Sequence, residues 1–460
     1  MQKPDVIHHP SSYRDPSGFI FEKDGILYRQ INLSFKKDFD HFTSSGCYDE
    51  LRKKGLLISH QVVQENITES KDHYLTIKPE KIAIVSYSYE WSFEMLKDAA
   101  LLTLQLVKES LPFGIILKDA TPYNIQWHNG KLIFIDTLSF GKYDSLQPWI
   151  AYRQFCECFL NPLLIMHYSG QSLHQLQLAF PEGIPVSITK SLLPWRSRLS
   201  FHTYLHVHLQ DRVTKAAKNR AKHVTFSSGK LKNLIASLET LVRSLRLKDK
   251  KTAWSAYYSE ASGRDDYLEQ KKSIISRWLD GMQTIKKAAD LGANEGEFSR
   301  ILAKKGIETI AADFDPYCIN RLYKNIKSNN LKNIQPFVVD LANPSPAIGV
   351  NNKERSSFID RTRVDLVLAL ALLHHLVIGK NIPFFMTADI LQQMTSILII
   401  EFIPKNDEKV KVMLRHKTDS YAWYEENEFE EVFKMYFSIT RKEMIVGSQR
   451  VLYLMKKHEG

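Results

Sequence analysis

The chain has little cysteine: only Cys47, Cys156, Cys158 and Cys318 occur in 460 residues. No CxxC pair and no Cys/His cluster at zinc spacing is present, which excludes the common structural zinc modules. Cys156 and Cys158 are two apart, so on a helix they point to different faces. This usage fits a reduced, cytoplasmic protein. Long apolar runs are missing as well. The longest, near Leu366 to Leu373 and Ile397 to Ile403, are strand-length and too short to span a bilayer. Met1-Gln2-Lys3-Pro4-Asp5 lacks the apolar core of a signal peptide. No membrane span is therefore expected. Internal repeats and low-complexity tracts are also lacking.

Hydrophobic residues make up 44% of the chain and charged residues 25%, as in ordinary globular proteins, and 460 residues suffice for two or three domains. Basic residues outnumber acidic ones, 62 to 51, for a net charge of +11. That excess allows an anionic partner, such as nucleic acid or a phosphorylated glycan or lipid. It is equally compatible with a solvated basic surface.

Three regions follow from pattern. Residues 1–210 mix short strands and helices. Asp24-Gly25 between two apolar runs signals a hairpin, as does Asn129-Gly130. Trp91 to Glu109 reads as a helix with Phe93, Leu96, Ala100, Leu104 and Val107 on one face. Residues 211–251 are basic, with Lys215, Lys218, Arg220, Lys222, Lys230 and Lys232 among others. A stripe of Leu231, Leu234, Ile235, Leu238, Leu241 and Val242 predicts a connecting helix there. Residues 252–460 alternate strand and helix. Predicted strands are 288–291, 309–313, 334–339, 364–370, 396–403, 436–440 and 451–455. The early ones are continuous apolar runs, as in a buried parallel sheet, and the expected architecture is a doubly wound α/β sheet.

The first of these strands enters the run Asp290-Leu291-Gly292-Ala293-Asn294-Glu295-Gly296-Glu297. Its glycines allow close approach of backbone to a nucleotide-like ligand. The second strand ends on Asp313, 21 residues after Gly292, a spacing suited to ribose hydroxyls. Asp315 lies beside it as a competitor for that role. The third strand ends on Asp340. A pyrophosphate at this turn would be repelled by Glu295 and Glu297, whereas a cationic sulfonium would tolerate them. The pattern resembles class I S-adenosylmethionine-dependent methyltransferases, over about residues 252–460. That resemblance implies that Asp290, Gly292, Asn294 and Gly296 line the methionine part. It places Asp313 at the ribose, Asp340 at the adenine amino group and Leu341 against the ring. The fourth strand is not followed by Asn/Asp-Pro-Pro-aromatic or Pro-Cys. His374 and His375 stand there instead, as a general base or as packing residues. Glu401, at the end of the fifth strand, is a further candidate near sulfonium or acceptor.

A second constellation lies in the first region. Asp119 and Asn124 in Leu117-Lys118-Asp119-Ala120-Thr121-Pro122-Tyr123-Asn124, then Asp136 after Ile133-Phe134-Ile135, resemble a kinase-type catalytic loop. The resemblance implies Asp119 as base, Asn124 and Asp136 on magnesium, and ATP as ligand. Leu117 replaces the usual histidine, however, no glycine-rich phosphate loop is evident, and no strand lysine with a helix glutamate partner is evident, with Arg29 or Lys78 as the residues that could substitute. A degenerate kinase-like domain is the alternative.

Ser86-Tyr87-Ser88-Tyr89-Glu90-Trp91-Ser92-Phe93, Phe134-Ile135-Asp136-Thr137-Leu138-Ser139-Phe140, Pro148-Trp149-Ile150-Ala151-Tyr152-Arg153-Gln154-Phe155-Cys156 and Ala369-Leu370-Ala371-Leu372-Leu373-His374-His375-Leu376 together resemble a bacterial two-part methyltransferase family related to nodulation protein NoeA. Three functions are open from the residues. One is methyl transfer to an oxygen of a small molecule or glycan selected by the N-terminal region. The second is methylation of RNA or a ribosome. The third is a phosphotransferase or nucleotide-binding module joined to a methyltransferase-like domain.

Overall fold

The computed structural model describes residues 6–209, 227–250, 252, 265–282, 284–415, 417 and 421–458. The chain divides into two units. Unit 1 is Met1–Lys248 with Ile348–Arg355, and unit 2 is Asp249–Ala347 with Ser356–Gly460.

In unit 1, β1 (Ile7–His8), β2 (Gly18–Lys23), β3 (Ile26–Asn32), β4 (His60–Val63) and β5 (His73–Pro79) form an antiparallel sheet in the order β1-β2-β3-β5-β4. Asp24 and Gly25 turn β2 into β3 with φ of 53° and 74°, the left-handed pair a two-residue hairpin needs. Helix Phe93–Ser110 starts where the Ser92 side chain accepts from the Met95 N–H, and it buries Phe93, Leu96, Ala100, Leu104 and Val107. Four short strands follow. β6 (Ile115–Leu117) pairs with β9 (Phe140–Lys142), and β7 (Ile125–His128) pairs with β8 (Lys131–Phe134).

The first part of the basic stretch expected as a connector lies outside the described residues, Lys215, Lys218, Arg220 and Lys222 included. Its described part is the helix Ser228–Ser244, which buries Leu231, Ile235, Leu238, Leu241 and Val242. This helix belongs to unit 1 and lies on helix Phe93–Ser110. Glu239 pairs with Lys108 at 2.9 Å, and Lys97 donates to the carbonyls of Arg243 and Leu245.

Unit 2 holds a seven-stranded sheet in the order β12-β11-β10-β13-β14-β16-β15. Its strands are β10 (Lys287–Leu291), β11 (Glu308–Asp313), β12 (Ile334–Val338), β13 (Val364–Ala369), β14 (Thr395–Phe402), β15 (Phe437–Met444) and β16 (Val451–Lys457). The first five are parallel, and β16 runs antiparallel to both β14 and β15. β10, β12 and most of β13 are buried along their length, which is why their sequences read as unbroken apolar runs. β10 and β13 are neighbours although β11 and β12 intervene in sequence. The carboxyl ends of β10 and β13 therefore flank the point where the strand order reverses, the place for a ligand in open sheets of this kind. No described helix is long and apolar enough to cross a membrane.

The turn after β10 depends on one glycine. Gly296 has φ of +80°, and an added Cβ would stand 2.7 Å from Leu322 Cδ1. Gly306 has φ of +77°, with nothing within 4 Å of an added Cβ. Gly306→Ala is expected to cost about 1 kcal/mol, from the left-handed backbone alone. Gly296→Ala should cost about 1–3 kcal/mol more, because a packed leucine must also move. Urea denaturation of the two variants checks that order.

Candidate functional site

A cavity of about 190 Å³ opens at the carboxyl ends of β10 to β13. Each strand contributes. Asp290 on β10, with Gly292 and Asn294 of the following turn, forms one wall. Asp313 and Phe314 come from the end of β11, and Val339, Asp340 and Leu341 from the end of β12. Leu370, Ala371, Leu372, His375 and Leu376 follow β13, and Lys271 and Phe298 come from two helices. Of the residues expected from sequence, Asp290, Gly292, Asn294, Asp313, Asp340, Leu341 and His375 line this space. Gly296, His374 and Glu401 do not.

The backbone amides of the turn are spent inside the fold. The N–H groups of Gly292 and Ala293 both donate to the Ala312 carbonyl, at 2.8 and 3.0 Å. That of Asn294 donates to Asp313 Oδ2 at 2.8 Å, and that of Gly296 to the Ala293 carbonyl. These four amides are therefore not offered to a phosphate. Glu295 and Glu297, expected to repel one, turn out to be neutralised. Glu295 pairs with Arg321 at 2.6 Å, and Glu297 with Arg300 and Lys272. The preference against a pyrophosphate rests instead on the spent amides and on the acids that do line the cavity.

Those acids are held in place. Asp290 Oδ2 accepts from the Ser299 hydroxyl at 2.6 Å. Asp313 accepts from the amides of Asn294 and Asp315. Burial pushes both carboxyls up to about 6, against the pull of these hydrogen bonds. Asp313 lines the cavity and Asp315 does not. Asp315 caps helix Pro316–Ser328 through the amides of Tyr317 and Cys318, and its other oxygen accepts from Thr252. Asp340 Oδ1 accepts from the Ala342 amide at 2.9 Å, and Lys380 lies 3.4 Å from Oδ2.

Glu401 is fully buried and ties three elements together. It accepts from Tyr267 Oη at 2.6 Å, Lys271 Nζ at 2.6 Å and the Ala371 amide at 2.7 Å. Burial alone would raise its carboxyl, but the charges of Lys271 and Arg450 prevail and hold it below the usual range. A carboxylate so occupied and so acidic is an anchor rather than a base for an acceptor. Ala371, a non-glycine residue at φ of +51°, is held at the cavity edge by this bond.

The two histidines separate. His374 is buried, its Nδ1 meets no hydrogen-bond partner, and burial drives it well below its ordinary value. His375 faces the cavity, and burial brings it down to about 4, so its ring is neutral at pH 7.

Lys271, Phe314 and Ala371 were not singled out in the sequence. A signal for Lys271 exists. It lies three, four and seven residues before Ile274, Ile275 and Trp278, on the apolar face of helix Asp265–Asp280. A lone cation on such a face requires a buried partner, and Glu401 supplies it.

In unit 1 the loop residues do come together. Asp119 Oδ1 accepts from Gln154 Nε2 at 2.6 Å and Oδ2 from Asn124 Nδ2 at 3.0 Å. Burial and the nearby charge of Asp136 raise the Asp119 carboxyl. Asp136 forms an ion pair with Arg29 of β3, and it also accepts from the Leu138 amide and the Ser139 hydroxyl. All four carboxylate oxygens therefore already face protein donors, and Arg29 supplies the positive charge. This set does not fit a magnesium site, and no phosphoryl transfer is derived from it. Among the described residues no cluster of three or more acidic, histidine or cysteine side chains could hold a metal.

Unit 2 is an α/β unit with a mostly parallel sheet. Solved structures with distant likeness include the bifunctional kinase-methyltransferase WbdD. It is 18% identical over 43% of this chain and 40% of that one, with a TM-score of 0.30. Magnesium protoporphyrin IX methyltransferase (ChlM) from Synechocystis PCC 6803 with bound SAH is 16% identical over 42% of this chain and 84% of that one, with a TM-score of 0.31. N-methyltransferase NodS from Bradyrhizobium japonicum WM9 with S-adenosyl-L-homocysteine is 14% identical over 42% and 88%, also at 0.31. No protein-family model matches the chain. Nodulation protein NoeA of Rhizobium meliloti (strain 1021) is 30% identical over 466 residues, 97% of this chain and 96% of that protein, and the chain belongs to its family.

Proposed function

We propose that the protein transfers a methyl group from S-adenosylmethionine to an oxygen of a small-molecule or glycan-type acceptor. The observation that carries this reading is the cavity's charge pattern. It has three carboxylates at the strand ends, with Lys271 and Lys380, beside a glycine turn in which the amides of Gly292, Ala293, Asn294 and Gly296 are already used. A pyrophosphate would meet three acids there, and the amides of Gly292, Ala293, Asn294 and Gly296 are not available to it. A ligand with an ammonium, a carboxylate, ribose hydroxyls and an exocyclic amine finds a partner for each. Asp290 receives the ammonium, Lys271 the carboxylate, Asp313 the ribose and Asp340 the adenine amine, with Leu341 against the ring. When bound, S-adenosylmethionine supplies a methyl group already activated on a cationic sulfur. The residues around it then have to hold, orient and exclude water.

Oxygen is favoured as acceptor by two features. The loop after β13, Leu370-Ala371-Leu372-Leu373, has neither the Asn/Asp-Pro-Pro-aromatic set for amide or exocyclic nitrogen nor a cysteine nucleophile. His375 is neutral and lines the cavity, so its ring can orient an acceptor hydroxyl by hydrogen bonding, although burial, which holds it down to about 4, makes it a weak base. Selection of the acceptor is assigned to unit 1, as a kinase-like domain that binds without magnesium chemistry. The Arg29–Asp136 pair supports this, because the guanidinium stands where phosphoryl chemistry would need a divalent cation.

Isothermal titration with S-adenosylhomocysteine should give saturable heat, and Asp313→Ala should weaken binding about tenfold or more. Absence of heat from the unaltered chain would overturn the reading. Lys271→Met should weaken S-adenosylhomocysteine about tenfold more than 5′-methylthioadenosine, which lacks the amino-acid tail, beyond any loss shared by both ligands from unpairing the buried Glu401. Equal losses for both ligands would show that Lys271 does not hold the carboxylate.

Affinity should also depend on pH with a definite sign. Asp290 and Asp313, at about 6 in the free protein, must be ionised to receive cationic and hydroxyl donors. Binding is then complete above that value and weakens as pH falls through it, by up to about tenfold per unit for each group. A flat profile between neutral pH and pH about 5 would contradict the assignment. In unit 1, Arg29→Met leaves Asp136 unpaired and should cost about 2–4 kcal/mol in urea denaturation. ATP with magnesium should give no heat with the unaltered chain.

A further inference from the structure

Unit 1 displays four large apolar side chains within ten residues. Leu192 is 55% exposed, Trp195 74%, Leu199 75% and Phe201 72%. The ridge that carries them is firmly seated, so the exposure is not fraying. Leu193, Ser197 and Thr203 point inward and are buried, Ser197 Oγ meets His208 Nε2 at 3.0 Å, and Arg196 donates to the Tyr168 carbonyl at 2.9 Å. Apolar groups this large, presented by anchored backbone, mark a contact surface.

Charge narrows what that surface meets. From Gly183 to Gln210 the chain contains no aspartate or glutamate, while Lys190, Arg196 and Arg198 fall within it. Arg196 and Arg198 are exposed and lie between Trp195 and Leu199 or beside them. Exposed tryptophan, phenylalanine and leucine interleaved with exposed arginine, in a segment without acids, is the composition of an interfacial membrane contact.

We propose that the Leu192–Phe201 ridge docks the protein on the surface of an anionic lipid bilayer, without crossing it. Two other occupants fit less well. Leu192 and Leu199 have no flat face on which a nucleic-acid base could stack. A second copy of this chain meeting the ridge about a two-fold axis would bring Arg196 and Arg198 against their own like charges, with no acid from Gly183 to Gln210 to offset them.

The test is flotation of the full chain with phosphatidylglycerol-containing vesicles and with pure phosphatidylcholine vesicles, at low and high salt. The unaltered chain should float with the anionic vesicles and be released by salt. Because the altered side chains are exposed, W195S/L199S/F201S should keep the circular dichroism spectrum and thermal unfolding of the parent. Its partition should nevertheless fall by about tenfold or more. R196Q/R198Q should lose the preference for anionic over neutral vesicles. Failure of the unaltered chain to float, or undiminished flotation of the folded triple variant, overturns the proposal. So does a patch-dependent dimer by light scattering, or patch-dependent binding of single-stranded RNA by anisotropy, in the absence of flotation.

Discussion

The buried Glu401 carboxylate organises the cavity end of unit 2. It sits near the end of β14 and binds a helix through Lys271 and Tyr267, and the loop after β13 through the Ala371 amide. Tyr267 in turn accepts from Arg450 just before β16, and Arg450 pairs with Asp407 at 2.8 Å. Burying one carboxylate is costly unless it is both paired and hydrogen-bonded. The fold satisfies that condition with donors from two other segments, so the positions of helix, loop and strand become conditional on one another. Lys271 reaches the cavity, and Ala371 keeps its left-handed backbone, as consequences of one acid.

Around that anchor the cavity has a consistent electrostatic character. Acids line it, two of them raised to about 6 by burial, and two lysines stand beside them, Lys271 paired with Glu401 and Lys380 with Asp340. The glycines of the turn serve close approach rather than anion binding, because Ala312 and Asp313 collect the amides that a phosphate would use. Similar glycine turns can thus host opposite ligand charges, and the hydrogen-bond destination of a few N–H groups decides between them.

Unit 1 makes the complementary point. Asp119, Asn124 and Asp136 converge as a kinase-type loop would have them, yet the partner of Asp136 is Arg29 from β3 rather than a vacant metal position. The sequence displayed the acids and the missing lysine. It did not display that an arginine about a hundred residues earlier closes on the second acid, because that pairing depends on how β3 packs over the loop.

Short-range pattern determined much by itself. The strands of unit 2, both hairpin turns and helix Phe93–Ser110 were legible within one or two residues at most ends, because burial on both faces, left-handed turn residues and helical spacing are local signals. The acids at 290, 313 and 340 were legible because parallel strands deliver their carboxyl ends to one edge. Tertiary structure decided what depended on partners distant in sequence. It made Asp315 a helix cap, turned His374 inward and His375 toward the cavity, and made Glu401 an anchor. It also cancelled Glu295 and Glu297 with arginines and a lysine, and raised Lys271 from a surface-type residue to a cavity cation. The physical reason is the same in each case. A charge's role is set by what desolvates and pairs it, and those neighbours are chosen by packing rather than by spacing along the chain.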